Sequence, residues 1–403
     1  MRMGLVVVGV AVAGLCLGAC SSGGSTEASS DRSPASTEAT DERSPFPLTK
    51  IESEHQLDGA ESGTLDQLMV GVGDRWAYWS HDDVVDVIDL ESNEVVRSIP
   101  DIATGGLVQS ADHSVLVGLP NDDDGQVTVI RSDTSEVADR FRTEAGPPTA
   151  PGLMSPDSTK VSWVASLNDD GDQAIVTASL PSQNAESTAF AYEACSGDGL
   201  AFVADQWFSS GDDYFEGNGS REYCVKGGGV TAIPGAEIGS VSAQIDVPLQ
   251  APKGNISWAR TGEMEVVDNE LFILSHPEGG YPCGSVCSKG EDRSYPSKIT
   301  AIDSQNQSVS YSVASESVFT DLIAAPSTQR LYAIEGDEGI AVISATEQKV
   351  EARTELSKYS SVYALAVNAD ETVLYALAAD DDDEYFLVRL GGGDTSSAQN
   401  PAS

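Results

Sequence analysis

Carboxylates are the residues best placed to do chemistry in this chain. They recur in short bursts: "SHDD" (His81, Asp82, Asp83), "NDDDG" (Asp122, Asp123, Asp124), "NDDGD" (Asp169, Asp170, Asp172) and "GDDYFEG" (Asp212, Asp213, Glu216). Glu278, Glu291 and Asp292 follow on a long loop, then "EGDEG" (Glu335, Asp337, Glu338) and "DDDDE" (Asp380 to Asp383, Glu384). Oxygen-rich loops suit a hard cation, and Ca²⁺ takes roughly six to eight oxygen ligands. Asp82, Asp83, Asp122, Asp124, Asp170, Asp172, Asp381 and Asp383 are the candidate ligands. The same field would steer a basic protein or peptide. No loop fits an EF-hand: with Gly125 or Gly171 at its sixth position, Arg131 or Thr177 stands where the bidentate Glu belongs. Asp, Asn and Gly are also ordinary hairpin-loop residues of an acidic, soluble protein, which is the plainer alternative.

Other chemistry finds little support. The chain has four histidines, His55, His81, His113 and His276, with no H-x3-H or H-E-x-x-H spacing. There is no G-x-S-x-G elbow, no haem attachment sequence and no phosphate loop. His81 beside Asp82 and Asp83 reads as a solvated loop histidine rather than a metal ligand. The reading is therefore of a binding protein, not an enzyme. The formal charge of −42 leaves no basic stripe for nucleic acid, so no nucleic-acid partner is expected.

The strands must carry these loops. "VIDLESNEVV" (Val87 to Val96) returns as "VIRSDTSEVA", "AIDSQNQSVS" and "VISATEQKVE", pairing Ile88/Val95, Ile130/Val137, Ile302/Val309 and Ile343/Val350 in one frame. Two β-rich runs split by a polar turn precede each copy, as in "RWAYWSHDDVVDVIDL". Before these comes a third apolar run, ending in a turn at or near Asp74, Asp112, Asp157 or Asp370, where a carboxylate can bond N–H groups two residues on. One unit is thus four strands, repeated about every 40–45 residues, the signature of a β-propeller blade. The carboxylate bursts fall on the second-to-third-strand loops, which share a face with the blade-to-blade connections.

The expectation is an all-β, seven-bladed β-propeller of four-stranded blades, with eight blades the alternative. "EYFLVRL" is a third strand with no fourth after it, so Pro47 to Leu57 ("PLTKIESEHQL") is expected to close the ring as the missing outer strand. Trp76, Trp79 and Trp163 fall on second strands and are expected to pack between blades. Long insertions carry Trp207, Phe208, Tyr214, Phe215 and Tyr281, which could line a partner-binding surface.

The first residues set the location. "LGAC" (Leu17 to Cys20) follows an apolar run too short to span a membrane and resembles the bacterial lipobox. That resemblance implies cleavage before Cys20, a diacylglycerol on its sulfur, and an extracytoplasmic protein held at the cell membrane by lipid. The expected organisation is a signal peptide at 1–19, a disordered Ser/Thr/Gly/Pro tether at 20–45, a propeller at 46–391 and a disordered tail at 392–403. In an oxidising compartment, Cys195, Cys224, Cys283 and Cys287 suggest two disulfides. Three pairings are open, Cys195–Cys224 with Cys283–Cys287 being favoured; metal ligation by "CGSVC" is the alternative.

Between Asp74 and Leu390 the repeats resemble the YVTN-type repeats of secreted bacterial propellers, although the YVTN tetrapeptide is missing. That group is similar to the heavy chain of methylamine dehydrogenase and to cytochrome d1 propellers. Extracytoplasmic zinc-carrier propellers are similar in size and repeats but rely on clustered histidines that this chain lacks. The leading expectation is a lipid-anchored, monomeric binding or scaffold module with a protein, peptide or Ca²⁺ partner. The rival is a metal carrier or propeller enzyme with its site in the central channel.

Overall fold

The computed structural model describes residues 47–57, 67–103, 106–120, 125–143, 147–148, 152–155, 157–166, 173–180, 190–192, 199–203, 206–211, 229–234, 243–247, 258–278, 297–315, 318–336 and 339–392. Among them lie seven antiparallel four-stranded sheets. In chain order their inner strands are Gln67–Val70, Leu107–Gln109, Leu153–Met154, Gly199–Val203, Trp258–Val267, Phe319–Ala325 and Ser361–Val367. Successive strands step outward in six of the sheets. In the seventh, the fourth place belongs to Leu48–Gln56, which pairs with Tyr385–Gly392 and sets Leu48 opposite Gly392. The expected closure is therefore observed. The protein is an all-β propeller of four-stranded blades.

The core explains why the sheets stand radially. Each is apolar on both faces of its inner strands, and the buried side chains gather into seven clusters, one between each pair of neighbouring sheets. One cluster joins Trp79 and Ile88 of the first sheet to Leu377 and Leu387 of the seventh, so the cycle of seams returns to its start. Trp79 and Trp163 are fully buried in such seams, as expected, whereas Trp76 is half-buried with the Arg75 guanidinium over its ring.

The recurring Ile-x6-Val frame has a geometric reason. Ile88, Ile130, Ile302 and Ile343 pair directly with Val95, Val137, Val309 and Val350, and a register shift precedes each pair. All four isoleucines are fully buried. The residue two before each valine is left-handed: Asn93 (φ 60), Ser135 (φ 55), Gln307 (φ 49) and Gln348 (φ 58). A left-handed residue followed by a bulge returns the chain without splaying the strands. Asp89 and Asp303 hold two of these turns by accepting N–H groups two and three residues on.

The first-to-second-strand turns do more than reverse the chain. Asp112 and Asp157 accept the N–H groups of Ser114 and Thr159, both at 3.1 Å, as expected. In the seventh sheet Asn368, not Asp370, takes that role toward Thr372 and Val373. A second feature was not expected. Asp74, His113, Ser158, Asp268, Gln329 and Glu371 are all left-handed, with φ of 53–58°. Several of their side chains reach back to the preceding sheet. His113 Nδ1 bonds Val70 O at 2.9 Å, and Gln329 Nε2 donates to Asp268 Oδ2 at 2.7 Å. Glu371 accepts the N–H groups of Ser327 and Thr328 at 2.9 and 2.8 Å.

Among the described residues no helix is long and apolar enough to cross a membrane.

Candidate functional site

Among the described residues, the channel along the axis and the turns at one end of the first and seventh sheets combine polar side chains with access. The seven inner strands enclose a cavity of about 700 Å³. Aliphatic residues such as Leu68, Val108, Leu200 and Leu365 supply much of its wall. Its polar groups mostly stitch one inner strand to the next. Gln67 Oε1 accepts Leu107 N–H at 3.0 Å, and Gln109 Nε2 donates to Val70 O at 2.7 Å.

Glu265 and Asp321 extend this pattern with charge. Asp321 Oδ1 accepts its neighbour Leu322 N–H, and Oδ2 accepts Leu365 N–H from the seventh sheet, both at 2.9 Å. Glu265, on the fifth sheet, receives the N–H of Ala324 on the sixth. It is half-buried and lines the channel. Burial first, and then the nearby Asp321 charge, push it up to about 8, against the pull of the Ala324 bond. Sequence reading missed both residues. "GEMEVV" and "FTDLIAA" place single carboxylates on otherwise apolar inner strands, and that is the only signal that could have found them.

The acidic turns divide into three groups. Asp82 and Asp83 are exposed in the turn after Trp76–His81, with Asp82 left-handed (φ 46). Asp381, Asp382, Asp383 and Glu384 are exposed in the turn before Tyr385–Gly392, where Asp380 Oδ1 accepts the N–H groups of Asp382 and Glu384 at 3.0 Å. These two turns belong to neighbouring sheets. An aromatic row ties them: Tyr363 to Tyr385 at 5.5 Å between ring centroids, Tyr385 to Trp79 at 5.1 Å, Trp79 to His81 at 4.3 Å.

Glu335 forms the second group. It is half-buried and takes Arg353 Nε at 2.6 Å and the Ser315 hydroxyl, so it belongs to the sixth sheet's own packing rather than to a cation-capturing face. Burial pushes its carboxyl up, but the Arg353 and Ser315 bonds outweigh that and hold it below the usual range. Asp122, Asp124, Asp170 and Asp172 form the third group and lie outside the described residues. So do Cys20, Cys195, Cys224, Cys283 and Cys287, with Tyr214, Phe215 and Tyr281.

Two expectations need correction, those for His81 and Phe208. His81 is not a solvated loop histidine: it is 8% exposed, stacks on Trp79, and its Nε2 meets Asp86 Oδ2 at 3.1 Å. Asp86 Oδ1 in turn accepts the Ser98 hydroxyl at 2.6 Å, which fixes the carboxylate beneath the turn. Phe208 is not on a recognition surface, because its place on a second strand turns it into the seam with the fifth sheet. Trp207 is half-buried beside Phe202, 4.7 Å between centroids, and packs toward Val164 and Ile175 of the third sheet. Among the described residues no group of three or more His, Cys, Asp or Glu is arranged to hold a metal ion.

No protein-family model matches the chain, and no curated protein matches it. Solved structures do. The chain is similar to one from the crystal structure of the mitotic checkpoint complex, at 14% identity and a TM-score of 0.56, covering 92% of this chain and 99% of that one. It is similar to the β-propeller domain of Myceliophteria thermophila Cps50 (Swd1), at 9% identity and a TM-score of 0.54, covering 83% and 99%. Kuenenia stuttgartiensis hydrazine synthase gives 11% identity and a TM-score of 0.58, again covering 83% and 99%. At such identities the likeness carries the fold alone.

Proposed function

We propose that this chain is a lipid-anchored, extracytoplasmic, seven-bladed propeller that binds a cationic partner, a basic peptide segment or Ca²⁺, through the acidic turns at one end of its ring. One observation supports the reading: Asp82 and Asp83 on the first sheet and Asp381 to Glu384 on the seventh are exposed on turns of two neighbouring sheets that the Trp79–Tyr385 ring contact joins. Fixed, same-sign groups on a rigid support raise the local concentration of a cation without any reorganisation of the site. The charge of −42 strengthens that field at long range. Cys20 and the residues after it supply the anchor and tether in this reading, and Cys195, Cys224, Cys283 and Cys287 its disulfides.

Two measurements test it. Calorimetry with Ca²⁺ and with a lysine-rich peptide, at low and at moderate salt, should give heat in one titration at least; silence in both leaves only solubility as the role of these turns. Cys20→Ser should release the protein from membranes into the soluble fraction, and retention at the membrane removes the lipid anchor.

Glu265 and Asp321 favour a second reading, a ligand site within the channel. Their engagement with Ala324 and Leu365 N–H groups ranks it below the first.

A further inference from the structure

A cavity of about 200 Å³ lies in the seam that closes the ring, at the opposite end of Trp76–His81 from Asp82 and Asp83. Strand pairing builds one of its walls. Ser53, Arg389 and Tyr375 stand in a row across three strands of the seventh sheet, and two residues along from Ser53, His55 pairs with Leu387. Paired residues, and residues two apart on a strand, share a face, so these side chains project together. Across the seam the first sheet supplies Asp74, Leu90 and Asn93 from two of its turns. We propose that this cavity binds a small zwitterion, an α-amino acid with a short apolar side chain, and that the bound molecule braces the closure of the ring.

The polar groups keep the capacity to do so. Arg389 gives Nη1 to Glu52 and bonds the Tyr375 hydroxyl. A guanidinium carries more N–H groups than those two bonds use, in a fork that matches a carboxylate. Glu52 reaches Arg389 because it is the extra residue of a register shift between Ile51 and Ser53. Asp74 accepts Asn368 Nδ2 through Oδ2, and among the described residues its Oδ1 accepts nothing. Ser53, His55 and Asn93 are half-buried, and their side chains make no hydrogen bond among the described residues.

Charge and size set the class of ligand. A lone anion drawn to Arg389 would also face Asp74 and Glu52, and a lone cation drawn to Asp74 would face the guanidinium. Among the described residues the ion pair of Arg389 is with Glu52, not with Asp74. Opposite charges that line one cavity without pairing with each other complement a molecule that carries both signs a short distance apart. Drug-sized ligands occupy roughly 300–1,000 Å³, so the occupant here is smaller than those. Leu387, fully buried, and Leu90, half-buried, give an apolar patch for a short aliphatic side chain. The wall is drawn from the closing strand, the first sheet and the seventh, which come together only in the closed ring, so a ligand bound here stabilises that state. The cavity shares no residue with the acidic turns, and the two sites stand or fall separately.

The test uses the full chain, ¹⁵N-labelled, with glycine, L-alanine and L-valine as probes and with propionate and ethylamine as the two halves of alanine. At constant ionic strength at least one amino acid should shift the Ser53, Asn93 and Arg389 amides saturably, with a Kd of about 1 mM. Propionate and ethylamine should bind at least about tenfold more weakly. The melting temperature should rise with the amino acid along the same saturation curve. Arg389→Gln should weaken binding about tenfold. Should that variant not fold, Ser53→Ala with Asn93→Gly decides, since glycine keeps the left-handed turn at 93 (φ 60), and this pair should weaken binding about threefold or more. No saturable shift with any of the three amino acids up to about 50 mM overturns the proposal. So does propionate or ethylamine binding as tightly as alanine, or undiminished binding in the folded variants.

Discussion

Asn368 and Asp74 meet across the ring's closure: Asn368 Nδ2 donates to Asp74 Oδ2 at 2.7 Å, although 294 residues separate them. Asp74 occupies in the first sheet the left-handed position that His113, Gln329 and Glu371 occupy in later ones. The closing seam is therefore made by the same device as the seams between consecutive sheets. The ring needs no special lock where the first and seventh sheets meet; it applies once more the rule by which several turns hold their predecessors.

Closure also depends on burial. Leu48 is fully buried among Tyr332, Val342 and Leu374, between the sixth and seventh sheets. Leu48→Ala should cost about 2–4 kcal/mol of stability, through lost transfer energy and the cavity left behind. Ile51, on the same strand but 38% exposed, should tolerate alanine within about 0.5 kcal/mol. Denaturant melts of the two variants check this, and equal effects would show that the strand does not seal the ring by burial.

Glu371 should be a stability hot spot although it is charged. It is 6% exposed and satisfies two N–H groups of the neighbouring turn. Glu371→Ala leaves both donors unpaired and should cost roughly 2–4 kcal/mol, whereas Glu371→Gln retains one acceptor and should cost about half as much. Thermal unfolding of the three proteins gives the order directly.

The chain should lose stability toward alkali on account of Glu265. Its folded-state pKa of about 8 lies above the ordinary value of 4.5. Below the ordinary value both folded and unfolded states hold the proton, and the contribution is fully present. As pH climbs toward 8 the unfolded state releases its proton first, so stability falls until the folded carboxyl ionises too. With its partial exposure to the channel allowed for, the loss should be roughly 2–4 kcal/mol. Glu265→Gln should flatten this limb of the stability–pH curve measured by urea melts between pH 5 and pH 9 (about the span of the two values).

Glu335 should act in the opposite direction. Its carboxyl is lowered, so the stability it lends through Arg353 and Ser315 is present above the ordinary carboxylate range and lost as pH falls through the folded value. Glu335→Gln should therefore reduce the acid sensitivity of unfolding and leave the curve above pH of about 6 parallel to that of the native protein. An unchanged acid limb would count against the ion pair as a stabilising contact.

Replacing Asp381, Asp382 and Asp383 together by Asn should weaken capture of a lysine-rich peptide about tenfold at low salt and reduce the salt dependence of what remains. These side chains are exposed, so the melting temperature should hardly move. Undiminished binding would transfer the cation-binding role away from this end of the ring.

The repeat was legible because it is a register. A buried isoleucine paired with a valine across a bulged turn needs the same seven-residue separation in every copy, and that periodicity survives in the letters. Strand closure was legible because a three-strand remnant at one end and a lone strand at the other complete each other. The latches were not, because the geometry asks only for a left-handed residue with a polar reach. Asp74, His113, Gln329 and Glu371 satisfy it with four different side chains. His81 misled because its neighbours Asp82 and Asp83 are exposed, while its own partner, Asp86, lies on the facing strand. Glu265 escaped notice because nothing in the one-dimensional pattern separates a channel carboxyl from the many acidic residues on the surface. Only the inner strand of the adjacent sheet, with Asp321, sets it apart.

Leu48 lies opposite Gly392, so the first strand and the last form a hairpin that lacks only its connecting loop. A short Gly/Ser bridge from Gly392 to Leu48, with a fresh opening in the exposed Glu91–Asn93 turn, would preserve all the strand ladders and move the junction of head and tail from the seventh sheet to the first. The ring, in topological terms, has no privileged starting point.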